Sequence, residues 1–560
     1  MNPFNLLKAP SANQAVYGAI ILLSIVFSII LIANPGYYNH NELAKIDFIL
    51  KNGLGDYLST YTALSPVPGN PLTPVPMALE GIIAAAFHDF PFVVHLIDVL
   101  IHALAACFLF SSVLRFTANR ELAWVSALIF IFNPLVSFSA GWASMLSDSL
   151  YMLFGLLAYQ ATDSYLKSIN GTSGLTAIFG WAVLSALSSE LAIVLPLVFL
   201  VLTLFFKQEQ KGKQFWISFG VWLAPAILLT AGRLATGIFS QGGGNGNPIE
   251  SLLVYLVYPF FATLSEAHAW SLEPSAIMVL AGVLHLGLIA LLFIVSSPRT
   301  AAAYLSIYFL FILPVLFKAT PDSHYLYGPG AVFSLGLAAL LTSERTRGNI
   351  GLSAASFILL AAALVHSVVN QHYFYQTGAC MKQISSTLES SYLTDSGPKK
   401  MAILVEPEAP GYILSRYIKD RDRVGSHHPV SFEIVNWEQR SEINSNYLFN
   451  CDCIVYKPSI ADLEVLDWGP RVTTPGTVPN QQPDGSAGIW IKVAGTLGYG
   501  DLQVLIDGKP ANATVVQPEL ITAAISAENF STPGPKEITV KQVYTGRIYK
   551  IGTFTVETAQ

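Results

Sequence analysis

Hydrophobic residues in this chain gather into long uninterrupted runs separated by short polar stretches. The first run is Ala15 to Ala33, and ten more cover approximately 91–114, 121–138, 147–162, 174–189, 191–206, 215–232, 276–296, 301–317, 328–342 and 350–369. Each is at or near the ~20 apolar residues that a helix needs to cross a bilayer. The pattern therefore predicts an α-helical polytopic membrane protein with about eleven transmembrane helices. The run 250–268 is shorter, is broken by Pro259 and carries Glu266 and His268, which suits an interfacial or re-entrant helix. Nothing after Ala33 reads as a small-residue cleavage site, so the first run is expected to stay as an uncleaved helix.

Beyond Gln371 the runs stop and the pattern becomes that of a soluble region. Met401 to Glu406 and Cys453 to Tyr456 read as short strands and Tyr412 to Lys419 as a helix, together a small α/β unit. From about Trp490 apolar and polar positions alternate over Ile489–Ala494, Asp501–Ile506, Val515–Ile525, Glu537–Tyr544 and Tyr549–Val556, with turn signals at Asp507-Gly508 and Thr545-Gly546. This predicts an immunoglobulin-like β-sandwich. The expected domains are a transmembrane domain over 1–370, an extracytoplasmic α/β domain over 371–474 and the β-sandwich over 475–560. The Pro-, Gly-, Gln- and Asn-rich stretch Pro475 to Ser486 would link the last two. Asn512 and Asn529 begin acceptor-type sequons in the last domain, which matter only in a host that glycosylates them.

Composition agrees with the pattern. Hydrophobic residues make up 52% of the chain and charged residues 12%, about half the ~25% of a soluble domain. The net charge of −6 comes without a basic stripe, so a nucleic-acid partner is not expected. With the N-terminus in the cytoplasm, the inner side collects Lys8, Arg115, Arg120, Lys167, Lys207, Lys211, Lys213, Arg299, Arg345 and Arg347. The outer side holds Lys45, Lys51, Arg233 and Lys318. That asymmetry supports the assignment and puts the Tyr37–Pro76 loop, the Gly242–Asn247 loop and the C-terminal region outside. Compact loops and the lack of a targeting extension favour a bacterial inner membrane. Of the four cysteines, Cys107 reads as an inert core residue, while Cys451 or Cys453 could pair with Cys380 in an oxidising compartment. Neither the cysteines nor the histidines stand at metal-ligand spacing, and no metal is expected.

The chemistry-bearing residues collect on the predicted outer side. Glu42 and Asp47 lie five residues apart beyond the first helix, in a stretch that reads as irregular loop. They are either solvated loop acids or acids at the mouth of a cavity between helices. Asp148 opens a helix, where unpaired N–H groups favour a carboxylate, and Glu190 stands between two apolar runs, where it could simply mark a turn. Asp98 and His102 are one helical turn apart and can hydrogen-bond to each other. Arg233 is the one arginine at an outer helix end and a candidate to hold a phosphate. Lys318, His324, Tyr325 and Tyr327 lie nearby in the pattern, next to Pro329 and Gly330. Charged groups in membrane segments are costly and by default mark function.

Several of these stretches, taken in order, resemble one family. Phe132-Asn133-Pro134-Leu135, then Gly141-Trp142-Ala143-Ser144, then Ser147-Asp148 before an apolar helix, looks like the family C polytopic glycosyltransferases. The likeness is to the protein O-mannosyltransferase-like and TMTC-like branch, of ArnT-like architecture, where His-Pro, Ala-Trp-Ile-Ser and an Asp occur in that order. Asn70-Pro71-Leu72-Thr73, His95-Leu96-Ile97-Asp98 with His102, Leu187-Ser188-Ser189-Glu190 and His324-Tyr325-Leu326-Tyr327-Gly328-Pro329 resemble further motifs of the branch. The resemblance covers residues 40 to about 340 and excludes the C-terminal region. Asn41, Asn70, Leu146, Ser189 and His324 stand where the branch carries an acid or basic residues.

The resemblance implies an inverting transferase that takes a sugar from a polyprenyl-phosphate donor to a protein or glycan acceptor outside the membrane. It assigns the acceptor base to Glu42, in Asn39-His40-Asn41-Glu42 where the family has Asp-Asp or Asp-Glu. Asp47 and Asp148 complete the catalytic candidates, and Arg233, Lys318, His324 and Tyr327 are the donor-phosphate candidates. Glu190, Asp98, His102 and Trp142 are supporting candidates. A base within reach of the acceptor proton, and cations or dipoles facing the departing phosphate, are what such a reaction needs. Two other readings stay open. One is a non-catalytic scaffold whose C-terminal modules bind a partner protein; the other is a transporter or ligase of lipid-linked glycans, which would need a polar route through the bundle.

Overall fold

The computed structural model describes residues 11–37, 40–62, 73–133, 141, 145–167, 171–207, 212–235, 248–260, 274–316, 323–394, 400–406, 409–423, 431–435, 447–456, 463–481, 485–494, 502–517, 519–543 and 546–558. Two units are distinguished, Met1–Ala379 and Cys380–Gln560.

The first unit is helical. Its helices are α1 Ser11–Phe27, α2 His40–Asn52, α3 Leu54–Tyr61, α4 Pro74–Phe87, α5 Pro91–Thr117, α6 Arg120–Ile131, α7 Leu146–Lys167, α8 Gly171–Ala186, α9 Val194–Phe206, α10 Lys213–Ala235, α11 Pro248–Val257, α12 Pro274–Val295, α13 Pro298–Ile312 and α14 Tyr327–Leu341. The last, α15, is a continuous helix over Ile350–Thr394 that passes from this unit into the next. A helix lies within each of the eleven apolar runs. Among the described residues five helices are long and apolar enough to cross a membrane: Pro91–Thr117, Lys213–Arg233, Met278–Val295, Pro298–Val315 and Ile350–Leu388. Five further apolar helices are shorter. Leu22, Val26, Leu228, Val279, Leu286 and Val365 are all exposed, as expected where hydrocarbon chains rather than water cover the surface. In the run 250–268, α11 gives way to a 3-10 turn at Tyr258–Phe260; Glu266 and His268 lie outside the described residues.

One expectation is corrected here. The Tyr37–Pro76 stretch reads as irregular loop in the sequence but carries α2, α3 and the start of α4. Helix α2 has Glu42 in its first turn and Lys51 in its last, the charge order that complements a helix dipole. Helix α4 begins with Pro74, a residue suited to a first turn, and packs against α2, α3, α5 and α7. It is an apolar helix that the run pattern missed because it is only 14 residues long.

In the second unit, β1 Lys400–Val405, β2 Ser431–Val435, β3 Tyr447–Phe449 and β4 Val455–Tyr456 form a sheet in the order β2-β1-β3-β4, with α16 Gly411–Arg423 following β1. Pairing is parallel from β1 to β2 and from β1 to β3, the connectivity of a small α/β unit. A disulfide joins Cys380 to Cys453, so of the two pairings open in the sequence it is Cys453 that is bonded; Cys451 is free and exposed and Cys107 free and buried.

The remaining strands are β5 Val465–Gly469, β6 Val472–Thr473, β7 Ala487–Val493, β8 Leu502–Ile506, β9 Lys509–Pro510, β10 Ala513–Gln517, β11 Leu520–Ile525, β12 Gly534–Gln542 and β13 Ile548–Val556. They make two sheets, β10-β11-β7-β5 and β6-β13-β12-β8-β9. Ile489, Ile491 and Ile521 from one sheet and Val504, Val540 and Phe554 from the other share one core, which makes this a β-sandwich. Strands β5 and β6 precede residue 475, so the sandwich draws on residues before the expected linker. The stretch 515–525 is two strands of a hairpin. Asp507 and Gly508 both have positive φ, the backbone of the tight turn their sequence announces.

Candidate functional site

The site is built on the junction between α1 and α2. After a short helical turn at Ile29–Ile32, Asn34 donates from its side-chain amide to the Phe374 carbonyl on α15 at 3.0 Å and accepts from the Gly36 amide at 3.1 Å. The Gly36 carbonyl meets the Nε2 atom of His95, a buried residue of α5, at 2.9 Å. The turn is thus held from two sides, and it delivers Tyr37 with its hydroxyl donating to the His88 carbonyl at 3.0 Å. Burial, then the charges of Glu42, Asp89 and Asp98, push the Tyr37 phenol upward, so it stays a neutral hydrogen-bond donor.

Past this turn α2 places Glu42 inward, 4% exposed. One turn on, Lys45 forms an ion pair with Glu80 of α4. Tyr37, Glu42, Lys45, Glu80 and Asp98 together line a small cavity of about 30 Å³, closed on its apolar side by Ile46, Ile83, Val94 and Leu146. That is room for one water or one hydroxyl group. Glu42 and Glu80 lie within electrostatic reach of Asp98, which is 1% exposed. Both Asp98 carboxylate oxygens and the Glu80 Oε1 atom have no hydrogen-bond partner among the described residues. Three carboxylates and one ammonium thus line one small space, an arrangement that costs stability.

A second polar cluster begins about 6 Å further along α5, the rise of four residues. His102 is fully buried, and its Nδ1 atom is 2.8 Å from the hydroxyl of Tyr327, the first residue of α14. The expected hydrogen bond between Asp98 and His102 is absent: the helical spacing is right, but His102 turns to a residue 225 positions away. Tyr327 also bonds Ser149 and lies within electrostatic reach of Asp148 in the first turn of α7. At its neighbour Gly328 α14 packs closely, since a Cβ there would stand 2.4 Å from Phe311 and 2.8 Å from the Tyr151 hydroxyl. Asn133, from the Asn-Pro motif, pins the same helix by donating to the Gly330 carbonyl at 2.9 Å and to Ser334 at 3.1 Å.

Glu190 opens a 3-10 turn capped by Ser189, whose hydroxyl accepts from the Leu191 amide. It lies within electrostatic reach of Tyr151 and of Arg233. Arg233 is 2% exposed and donates to the Ala186 carbonyl at 2.9 Å. The sequence-derived candidates thus fall into two neighbouring groups: Glu42 and Asp98 line the small cavity, while His102, Asp148 and Tyr327 form the second cluster, with Glu190 and Arg233 at its edge. Asp148 and Glu190 are not among the cavity's lining residues. Asp47 lies on α2 and His324 in the 3-10 turn Ser323–Leu326, but their side chains are not described. Lys318, Trp142, the Asn70-Pro71-Leu72 stretch and the Gly242–Asn247 loop lie outside the described residues. Among the described residues no group of three or more His, Cys, Asp or Glu is placed to hold a metal ion.

Sequence reasoning passed over Lys45 as a site residue, and over Glu80, Tyr37 and the role of His95. Glu80 carried a usable signal, a single carboxylate inside an apolar stretch.

No family model matches the chain, and none of the curated proteins compared matches it. Among solved structures it is similar to the oligosaccharyltransferase of Archaeoglobus fulgidus tethered to an acceptor peptide, at 13% identity and a TM-score of 0.39 over 76% of this chain and 64% of that one. It is also similar to the archaeal oligosaccharyltransferase AglB from the same organism, in complex with an inhibitory peptide and a dolichol-phosphate. There the identity is 12% and the TM-score 0.39, over 73% of this chain and 63% of that one. The chain spans less than two thirds of those neighbours' length. A likeness this faint assigns neither activity nor substrate.

Proposed function

We propose that this protein is an inverting glycosyltransferase of the extracytoplasmic face of a membrane, a bacterial inner membrane on the sequence reading, using a polyprenyl-phosphate sugar as donor. The observation that carries the reading is the small cavity in which Glu42 meets Lys45, Glu80 and Asp98. A buried carboxylate next to a space of hydroxyl size is what a general base for an acceptor hydroxyl requires. In this reading the acceptor oxygen attacks the anomeric carbon from the face opposite the phosphate. The carbon–oxygen bond to the phosphate breaks, polyprenyl phosphate leaves, and the acceptor proton passes to Glu42. Asp47 follows Glu42 on α2, and Asp148 with His102 and Tyr327 supplies hydrogen bonds beside it. Arg233, Lys318, His324 and Tyr327 are assigned to the donor phosphate, with Glu190 fixing Arg233, and Asp98 and Trp142 in support.

The test is transfer by the full chain in proteoliposomes supplied with a polyprenyl-phosphate sugar. Glu42→Gln should lower turnover about 10²-fold or more while donor binding and Tm are retained. An unchanged rate removes Glu42 from catalysis. A second reading, a non-catalytic scaffold, is favoured by one observation: a cavity of about 30 Å³ admits a hydroxyl but no sugar ring. A scaffold would show no turnover in the wild type and no response to Glu42→Gln.

The β-sandwich is read as an immunoglobulin-like module that positions the acceptor or a partner protein. Deleting residues 463–560, which removes both sheets whole, should change acceptor choice or complex size; no change in either would remove that role.

A further inference from the structure

The helical unit contains a second, much larger cavity of about 500 Å³ at the other end of α5 from Asp98, among α5, α7, α9, α10, α12, α13 and α14. Its interior is hydrocarbon: Leu109, Val113, Leu156, Leu202, Trp222 and Leu335 are typical of the lining. Ser112, Tyr159 and Tyr304 also line it, with Ser112 engaged by Gln160 and the Tyr304 hydroxyl by His285. The other polar lining residues lie at helix ends. Thr117 ends α5, Lys207 follows α9, Ser296 follows α12 and Thr300 sits in the first turn of α13, so they form a rim at one mouth. Lys207 holds its ammonium 4.5 Å from the Phe116 ring centroid.

Around that mouth cations outnumber acids among the described residues. Asp163 is shared by Arg115 at 3.5 Å and Lys167 at 2.8 Å, and it is also the carboxylate that acts on Lys207. Among the described residues of this group, three positive charges thus stand against one negative one. Nearby Arg345 is anchored to the Ile294 carbonyl of α12, and Arg347 is paired with Glu121. An apolar chamber with a polar, net-positive rim has the polarity of an anionic amphiphile turned inside out.

We infer that this cavity is a binding site for one acyl chain of an anionic phospholipid, whose headgroup phosphate rests at Lys207. The volume suits a ligand of ordinary small-molecule size, hence one acyl chain rather than a polyprenyl chain several times longer. The phosphate answers the surplus of Arg115, Lys167 and Lys207 over Asp163, and basic groups at a membrane surface attract anionic lipid. The site is separate from the Glu42 cavity, and the inference does not depend on the transferase reading.

The experiment uses the full-length protein in detergent with phosphatidylglycerol carrying a photoreactive diazirine in one acyl chain, and maps the crosslinked peptides by mass spectrometry. Crosslinks should fall on the lining of α5, α9 and α14, several-fold more than with the phosphatidylcholine analogue. Lys207→Glu should reduce them several-fold without changing Tm, and Val198→Trp, which fills the chamber, should remove them. Crosslinks confined to outward-facing residues such as Leu228 and Val279 would overturn the site. Equal labelling by the two headgroups would overturn the role of Lys207. Competition by polyprenyl phosphate but not by unlabelled phosphatidylglycerol would overturn the occupant.

Discussion

The helical unit buries several of its carboxylates, whereas the β-sandwich buries none among its described residues. In the first, Glu42, Glu80, Asp98, Asp148 and Asp163 are all buried. In the second, Asp467, Asp507 and Glu537 sit at the surface and pair with Arg471, Lys536 and Lys550. An exposed ion pair is cheap to keep and contributes little. A buried carboxylate in an apolar bundle is costly, and five of them mark where stability has been given up for something else.

Removing single partners makes the contrast measurable. Lys45→Met strips the counter-charge from buried Glu80 and should cost about 3–5 kcal/mol in thermal or denaturant unfolding of the purified protein. The double variant with Glu80→Gln should recover most of that loss, and a full-sized loss in the double variant would mean that packing, not charge, is the cause. In the second unit a covalent bond outweighs any single ion pair: Cys380→Ser opens a link spanning 73 residues and should cost about 2–5 kcal/mol, read as a lower Tm of that unit under oxidising conditions only. Tyr327→Phe removes a hydroxyl bonded to His102 and Ser149 and should cost about 1–3 kcal/mol. Asp467→Asn, at an exposed pair, should change stability by at most about 1 kcal/mol. An Asp467→Asn loss as large as that of Lys45→Met would erase the distinction between the regions.

What could be read in the sequence follows the same division. Apolar runs located helices because hydrocarbon tolerates few polar residues, so the pattern is stark. They missed α2, α3 and α4, the first two because their sequences are largely polar and the third because it is short. The alternating tail announced the sandwich strands and the Asp507-Gly508 turn, yet β5 and β6 are too short and polar to be seen before their partners are known. Glu42 was visible as an acid just past a membrane helix. Its surroundings were not, because nothing in the spacing pairs Lys45 with Glu80, 35 residues on, and the partners of His102 and Asn133 are about 200 residues away. Spacing on one helix gives the direction of a side chain; it cannot name the element that will face it.

The Asn34 clasp onto the Phe374 carbonyl carries a consequence for biogenesis. Its two halves leave the ribosome 340 residues apart, so the turn that sets His95 and Tyr37 acquires its second support only when the final membrane helix is inserted. Until then the acid-lined hollow lacks its anchor. A nascent chain halted before residue 374 should therefore carry an unfinished site however well its earlier helices have packed, and quality-control proteases could tell complete copies from incomplete ones at that place.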